Sequence, residues 1–482
     1  MSIIEHIARW AAGLGRAHGA AAVENARRVI EDSVACMVAG AGDEAAAAVR
    51  AGIAGWGGGG STVAGQQASV AAPWAALANG TAAHALDFDD TFLPATNHAS
   101  AAMVTSLFAL GEETGASGAD VIDAYLVGLE TTYILARGVM RSHYDIGWHT
   151  TSTLGCIGAA AACARLLRLD EARFANALSL AVSMACGMKV QFGTMAKPLH
   201  AGLAAQHAIQ AARLAEAGVQ GRKEALEGPM GFLALCGGPA AVGWDAVVAG
   251  IGQPPLVIET RGIMVKRFPC CASTHRSLDC LLELREEEGF SVDDVQAVDT
   301  FIGYGNARNL MYSDPRTELQ ARFSMQYCVA VALTYGTVRL EDFTPQAVQR
   351  PAIRERLAMT TVTPYDPTEE QKNPDAMRPH RVEVRLKDGR TFARERDLPK
   401  GTLKYPLSEQ DREAKFRDCC TGFLPEAGLE ELHSRLLALP SAPDLQAITA
   451  HLKFQAGSDR GSRFVDRKAG ATPARTRSPS AA

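Results

Sequence analysis

The sequence predicts a mainly α protein, a large all-helical domain with a smaller α+β domain, from three observations. Residues 1 to about 265 are rich in Ala, Leu and Gly and carry apolar side chains at helical spacing. From about residue 266 to 404 the pattern changes to short alternating runs of strand type. From about 405 to 455 helical periodicity returns, and this piece is expected to complete the helical domain.

The elements follow in order. Ile3, Ile4, Ile7, Trp10, Ala11 and Leu14 form an amphipathic helix, and Glu5 and Arg9 inside it distinguish it from a secretory apolar segment. Helical periods then cover Val23 to Ala39, Thr153 to Leu167 and Ala172 to Cys186, with Asp170 as an N-cap. Gly55 to Gly60 lacks the Gly-Lys-Ser/Thr ending of a phosphate loop and reads as a flexible connection. In the second domain a helix around Ser277 to Glu288 precedes a strand at Val295 to Gly303, and a further helix spans Ala321 to Tyr335. His380 to Asp397 reads as a hairpin turning at Asp388-Gly389. Ser408 and Asp411 form a capping box for a helix through Cys420, and Leu429 to Leu439 is helical again. Residues 457–482, rich in Arg, Ser, Gly, Pro and Ala, are expected to be a disordered tail.

Composition narrows the function classes. The chain has 482 residues, too many for one ordinary core, with 47% hydrophobic and 21% charged residues. Its net charge of −5 is spread evenly, which leaves no broad basic surface for nucleic acid. Eleven cysteines at irregular spacing fit neither a disulfide framework nor a zinc site. Lacking a charge-free run long enough to span a bilayer, the chain is expected in the cytoplasm, without membrane or nucleic-acid partners.

The chemistry concentrates in Asn79-Gly80-Thr81-Ala82-Ala83-His84-Ala85-Leu86-Asp87-Phe88-Asp89-Asp90-Thr91. On a continuous helix His84, Asp87 and Thr91 share one face, so an imidazole, a carboxylate and a hydroxyl meet among alanines. Lys197-Pro198-Leu199-His200-Ala201-Gly202 opens a helix with Pro in its first turn, and Lys197 at the N-terminus favours a bound anion such as a substrate carboxylate. A surface lysine beside a core histidine is the bland alternative. His149 lies on a loop before a Gly-rich helix and suits proton transfer near neutral pH, or a capping role. Lys266-Arg267-Phe268-Pro269-Cys270-Cys271-Ala272-Ser273-Thr274-His275 gathers cations, thiols and an imidazole at the expected domain junction. This inventory holds no cofactor fingerprint and fits proton movement next to carboxylates: elimination, decarboxylation or isomerisation of a small polyacid.

These segments, with Phe323-Ser324-Met325-Gln326-Tyr327 and Lys415-Phe416-Arg417-Asp418, resemble the MmgE/PrpD family in order and spacing over about residues 1 to 455. The family includes 2-methylcitrate dehydratases, cis-aconitate decarboxylase and an iminodisuccinate epimerase. The resemblance implies a helical domain, an α+β lid, a homodimer, and a site between the domains that needs no cofactor or metal. It also implies that Asp87, Thr91, His149, Lys197, Lys266 and Tyr327 are active-site residues. Two positions depart from the decarboxylase pattern: Asn97-His98 stands where a histidine follows the Asp-Asp-Thr motif one residue earlier, and Cys271 replaces a histidine.

The expected activity is therefore that of a hydro-lyase, 2-methylcitrate dehydratase-like, on a small di- or tricarboxylate, with isomerase, epimerase or decarboxylase chemistry as alternatives. His149 exchanges the proton, Asp87 and Thr91 orient the substrate, and Tyr327 and His275 complete the lid side. Lys197, Lys266, His98, His200 and Cys271 are the substrate-binding set. Three readings compete. A terpene cyclase would use Asp87-Phe88-Asp89-Asp90, but aromatics at 6% give few walls for a carbocation. A metal hydrolase would use His84, Asp87 and Asp90, and no second motif completes its shell. A helical interaction protein of the same fold without catalysis is the third.

Overall fold

The computed structural model describes residues 1–139, 142–238, 245–368 and 378–456. The chain divides into two compact units, Met1–Arg267 together with the chain from Lys400, and Phe268–Pro399. The expected tail after residue 456 lies outside the described residues.

The first unit is helical. It opens with α1 (Ile3–Gly13), α2 (Ala20–Gly40) and α3 (Glu44–Ile53), followed by α4 (Ala72–His84), α5 (Ala99–Thr114) and α6 (Gly118–Val139). A single turn, α7 (Ser142–Asp145), leads to α8 (Thr153–Leu166), α9 (Glu171–Met184) and α10 (Ala196–Glu216). Ser2 closes a capping box with Glu5 on α1, and Asp170 caps α9 by accepting from the Arg173 amide. Helices α8 and α10 bury mainly alanine and glycine, with Cys156 and Cys163 on α8, so backbones approach closely.

The crossing of α4 and α10 matters most for the site. A β-carbon at Gly202 would stand 2.2 Å from the Leu77 carbonyl oxygen, and one at Gly80 would stand 2.8 Å from the Gly202 Cα. Only glycine fits either position. From that crossing, four residues forward along α4 reach His84 and five residues back along α10 reach Lys197, at the same end of the pair.

Helix Glu409–Cys420, capped by Ser408 and Asp411, and helix Glu426–Leu437 return to the first unit. Lys415 on the former reaches Asp32 on α2 at 2.6 Å. No helix among the described residues is long and apolar enough to cross a membrane.

In the first unit two expectations differ from the structure. The glycine run holds a short strand, β1 (Gly58–Ser61), bridged to Val70, because absent side chains let it press on Ala71; a β-carbon at Gly59 would lie 2.5 Å from the Ala71 Cα. The helix expected through Thr91 ends at His84, and Asp87 turns into the left-handed region at φ 52°. Aspartate tolerates that conformation better than most residues. Asp87 and Thr91 are therefore loop residues, and no common helix face joins them to His84.

The second unit holds a mixed four-stranded sheet in the order β3-β2-β4-β5. Strand β2 (Val295–Ile302) pairs parallel with β3 (Thr360–Pro364) and antiparallel with β4 (His380–Leu386), which continues through Asp388-Gly389 into β5 (Thr391–Arg396). Helix Ala272–Glu288 and helix Met325–Tyr335 contribute to one apolar core with Val295, Val298, Ile302, Val382, Val384 and Leu386. The helix expected across Ala321 to Tyr335 is broken: Glu318–Ala321 ends, and Ser324 caps Met325–Tyr335 by accepting from the Tyr327 amide. The Ser324 hydroxyl supplies an N-cap where unbroken helix would need an interior residue.

Candidate active site

In the first unit the C-terminus of α4, the N-terminus of α10 and three loops bring together His84, Asp87, Asp89, His98, Lys197 and Lys266. Lys197 Nζ donates to Asp87 Oδ1 at 2.6 Å and to His84 Nε2 at 3.1 Å. Lys266 Nζ lies 3.1 Å from Asp87 Oδ2 and donates to the Asp87 carbonyl at 2.7 Å. One buried carboxylate thus holds two buried ammonium groups.

The histidines take their protonation states from this arrangement. An ammonium is a donor only, so His84 Nε2 accepts and its Nδ1–H donates to Asp89 Oδ2 at 2.8 Å. Burial first, then the Lys197 charge, depresses His84 to about 3 against the pull of Asp89. Burial would raise Asp87 and Asp89, but Lys197 and Lys266 hold the first, and His84 and His98 the second, well below the usual carboxylate range. His98 Nδ1 lies 3.3 Å from Asp89 Oδ2 and its Nε2 lies 3.9 Å from Asp87 Oδ1. The left-handed Thr96 (φ 50°) belongs to the turn that brings His98 here, while Asn97 points into the protein and is fully buried.

Beside this cluster the His149 ring lies 5.8 Å from His84, and its Nδ1 is 3.1 Å from Nδ1 of His200, so one of the two donates and the other accepts. Burial, with the Lys197 charge nearby, depresses both imidazoles, His149 strongly. Its backbone amide is tied to the Gly187 carbonyl, and Phe192 packs edge-on against its ring. The site therefore holds two ammoniums, two carboxylates and, at His84, His149 and His200, imidazoles in the neutral form, able to take up a proton.

Thr91 binds Met264 through both backbone groups, and among the described residues its Oγ1 has no hydrogen-bond partner. The same holds for Asp89 Oδ1, Asp90 Oδ2 and the Asn97 amide. Four buried polar groups between Asp89 and Asn97 thus keep bonding capacity that water or a polar ligand can satisfy.

Ligand atoms of His84, Asp87, Asp89 and His98 lie within 4.8 Å of one another, a spacing that a metal ion could also use. Lys197 and Lys266 already face both oxygens of Asp87, so a cation would meet two ammoniums there. The donor set fits an anion-binding site better than a metal centre.

The remaining sequence-predicted residues belong to the second unit. Tyr327 is fully buried, its hydroxyl donates to the Asp342 carbonyl, and burial pushes its phenol well above the ordinary value. His275 is buried, with Nε2 3.2 Å from the Cys270 carbonyl. Cys271 stands at the N-cap position of helix Ala272–Glu288 without a capping bond from its side chain, and its amide donates to the Arg322 carbonyl. In the sequence reading of a polyacid lyase Asp89 has no role, although it stands beside both His84 and His98. The signal was the Asp-x-Asp spacing, which turns both carboxylates to one side only once the chain leaves the helix after His84.

Residues 5–245 match the MmgE/PrpD N-terminal domain, and residues 268–437 match the MmgE/PrpD C-terminal domain. The chain belongs to the MmgE/PrpD family. It is 31% identical over 395 residues to a cis-aconitate decarboxylase of Homo sapiens, covering 79% of each chain. It is 30% identical to that of Mus musculus over 81% of this chain and 80% of the other. An Aspergillus terreus cis-aconitate decarboxylase is 26% identical over 77% of this chain and 79% of its own. These three relatives are named as decarboxylases, whereas the expectation from the sequence was a dehydratase.

Proposed function

We propose that this MmgE/PrpD protein is a lyase that decarboxylates cis-aconitate or a closely similar unsaturated tricarboxylate, without a cofactor. The observation that carries the reading is the buried carboxylate of Asp87 held by both Lys197 and Lys266. Such a pair of ammoniums is a ready receptor for a substrate carboxylate that displaces Asp87. Similarity to cis-aconitate decarboxylases along about four-fifths of the chain supports the substrate class.

In the proposed reaction the bond to the leaving carboxylate breaks and its electron pair passes into the carbon skeleton, where the neighbouring alkene and carboxylate delocalise it. Carbon dioxide departs, and an imidazole returns one proton to carbon. His149 is the proposed donor. It is neutral at rest, and a polyanionic substrate beside it favours its protonated form. Asp87 and Thr91 orient the substrate, while His98 and His200 line its binding place. Tyr327, His275 and Cys271 take no step in this proposal, and the working form is taken to be a homodimer.

A second reading, a hydro-lyase on 2-methylcitrate or a similar hydroxy acid, is favoured by the neutral state of His84, His149 and His200, since a base must accept a proton to start an elimination. Proton NMR in D2O against cis-aconitate, citrate, 2-methylcitrate and iminodisuccinate tests both. Loss of carbon dioxide with one deuterium gained on carbon supports the decarboxylase. Loss of water supports the hydro-lyase, and deuterium uptake without net change would make the protein an isomerase or epimerase.

A further inference from the structure

We propose that Lys415, carried on Asp32, is a positioning residue of this site. It holds the Phe88 carbonyl so that the chain must turn at Asp87 and present Asp87 and Asp89 to the lysines and histidines. The proposal rests on the reading of the Asp87 cluster as an active site, and it adds to that cluster a residue with no contact to it through its side-chain charge.

Lys415 is buried in helix Glu409–Cys420, more than 300 residues along the chain from the loop it touches. Its Nζ lies 2.6 Å from Asp32 Oδ1, donates to the Phe88 carbonyl at 2.8 Å, and stands 4.2 Å from the centre of the Phe88 ring. The preceding carbonyl, that of Asp87, accepts from Lys266 at 2.7 Å. Two successive carbonyls of one loop are thus each bound by a different buried ammonium. Asp87 between His84 and these two bonds adopts φ 52°.

Backbone in the left-handed region is costly for a residue other than glycine and persists only where the surroundings over-determine it. The two lysines provide that determination. With Phe88 fixed, Asp87 reaches Lys197 and Lys266, and Asp89, one residue beyond Phe88, reaches His84 and His98. An Asp-x-Asp segment without the Phe88 anchor could swing both carboxylates away together. Asp32 helps to keep the charge of Lys415 in the protein interior: burial opposes that charge, and Asp32 together with Cys36 and Cys419 outweighs burial. The Lys415-Phe416-Arg417-Asp418 motif, so far from the rest of the site in sequence, thereby gains a reason of its own.

The test compares Asp32→Asn with the double variant Asp32→Asn/Lys415→Met. The double variant removes both charges of the pair and is expected to keep the fold, whereas Asp32→Asn leaves the buried Lys415 ammonium without its carboxylate and is expected to have the lower Tm of the two. Asp32→Asn retains the donor to Phe88 and, while folded, is expected to keep a kcat well above that of the double variant. The double variant is expected to lose about 10²-fold in kcat, the scale of an ångström-sized misplacement, with a smaller change in KM. Lys415→Arg serves if the double variant does not fold: it preserves the ion pair with Asp32 but moves the donor, and a fall in kcat at unchanged Tm is expected. Equal kcat in Asp32→Asn and the folded double variant, or wild-type kcat in Lys415→Arg, overturns the proposal.

A readout without substrate separates this proposal from the assigned activity. In 15N-histidine spectra, the downfield Nδ1–H signal of His84 bonded to Asp89 is expected to persist in Asp32→Asn and to shift or vanish in the double variant. If it is unchanged in both, Lys415 does not position the loop, whatever the substrate proves to be. If the signal responds while no polycarboxylate is turned over, the positioning stands and the proposed activity fails.

Discussion

Replacing Asp87 by Asn should destabilise the ligand-free protein and at the same time tighten its hold on a tricarboxylate. The carboxylate is buried and accepts from Lys197 at 2.6 Å on one oxygen and lies 3.1 Å from Lys266 on the other. Asparagine offers one acceptor and points an NH2 group at the other ammonium. Removing one partner of a buried ion pair costs about 3–5 kcal/mol, because the remaining charge stays desolvated. A polycarboxylate can take over the vacated role. At a ligand concentration 100 times its Kd, binding restores about 2.7 kcal/mol, more than half of the lower loss. In wild type the ligand must first displace Asp87 from the same lysines, so its Kd is weaker. Thermal unfolding of wild type and Asp87→Asn, titrated with citrate or cis-aconitate, measures both effects. The expected result is a lower Tm without ligand and a larger ligand-induced rise for the variant. A variant as stable as wild type, or one that tricarboxylates stabilise less than wild type, would refute the displacement argument.

Further outcomes follow from the same geometry. His149→Gln should lower kcat by about 10²–10⁴-fold, the usual worth of a positioned acid–base group, while leaving Tm near wild type; near-normal turnover would remove His149 from the proton step. Gly202→Ala should destabilise by about 1–3 kcal/mol or more, since its β-carbon would meet the Leu77 carbonyl at 2.2 Å, and activity should fall as α4 and α10 separate; denaturant midpoints and rates check this together. Asp90 gives a pH signature: burial, with Asp89 and Asp32 nearby, lifts its carboxyl to about 7 from 3.8. The folded protein then keeps a proton that the unfolded chain releases above pH 3.8, so this contribution to stability is present below that pH and is lost as pH rises to about 7. Asp90→Asn removes that loss, so its denaturant midpoint relative to wild type should climb between those values; a constant difference would contradict the buried, protonated Asp90.

Much of the local fold was legible because it rests on short-range rules. Asp170 and Ser408 cap the helices that begin after them, and Asp388-Gly389 turns β4 into β5. Such devices act within a few residues, and the side chains that decide them are adjacent in sequence. A shared helix face for His84, Asp87 and Thr91 requires helix through Thr91, as the local spacing from Asn79 onward allows, whereas the chain is drawn out of helix at Asp87 by lysines 110, 179 and 327 positions away from their partners in the loop. No window of sequence contains those donors. The break at Ser324 shows the opposite case, in which a local capping signal inside an apolar run was read as helix interior. Within the site, Lys197 was legible from Pro198 and the helix start, and His149 from its loop before α8. Asp89 was not, since its value comes from which way the chain turns after His84.

In the proposed function Lys197, Lys266 and Asp87 form the substrate-binding heart of a tricarboxylate decarboxylase. This reading is tested most directly by carbon dioxide released from cis-aconitate by wild type and by Lys266→Met. The account predicts one carbon dioxide for each cis-aconitate consumed by wild type, and release reduced to background in the variant while it remains folded. Undiminished release by folded Lys266→Met, or a wild type that leaves cis-aconitate intact while dehydrating another polycarboxylate, would contradict it.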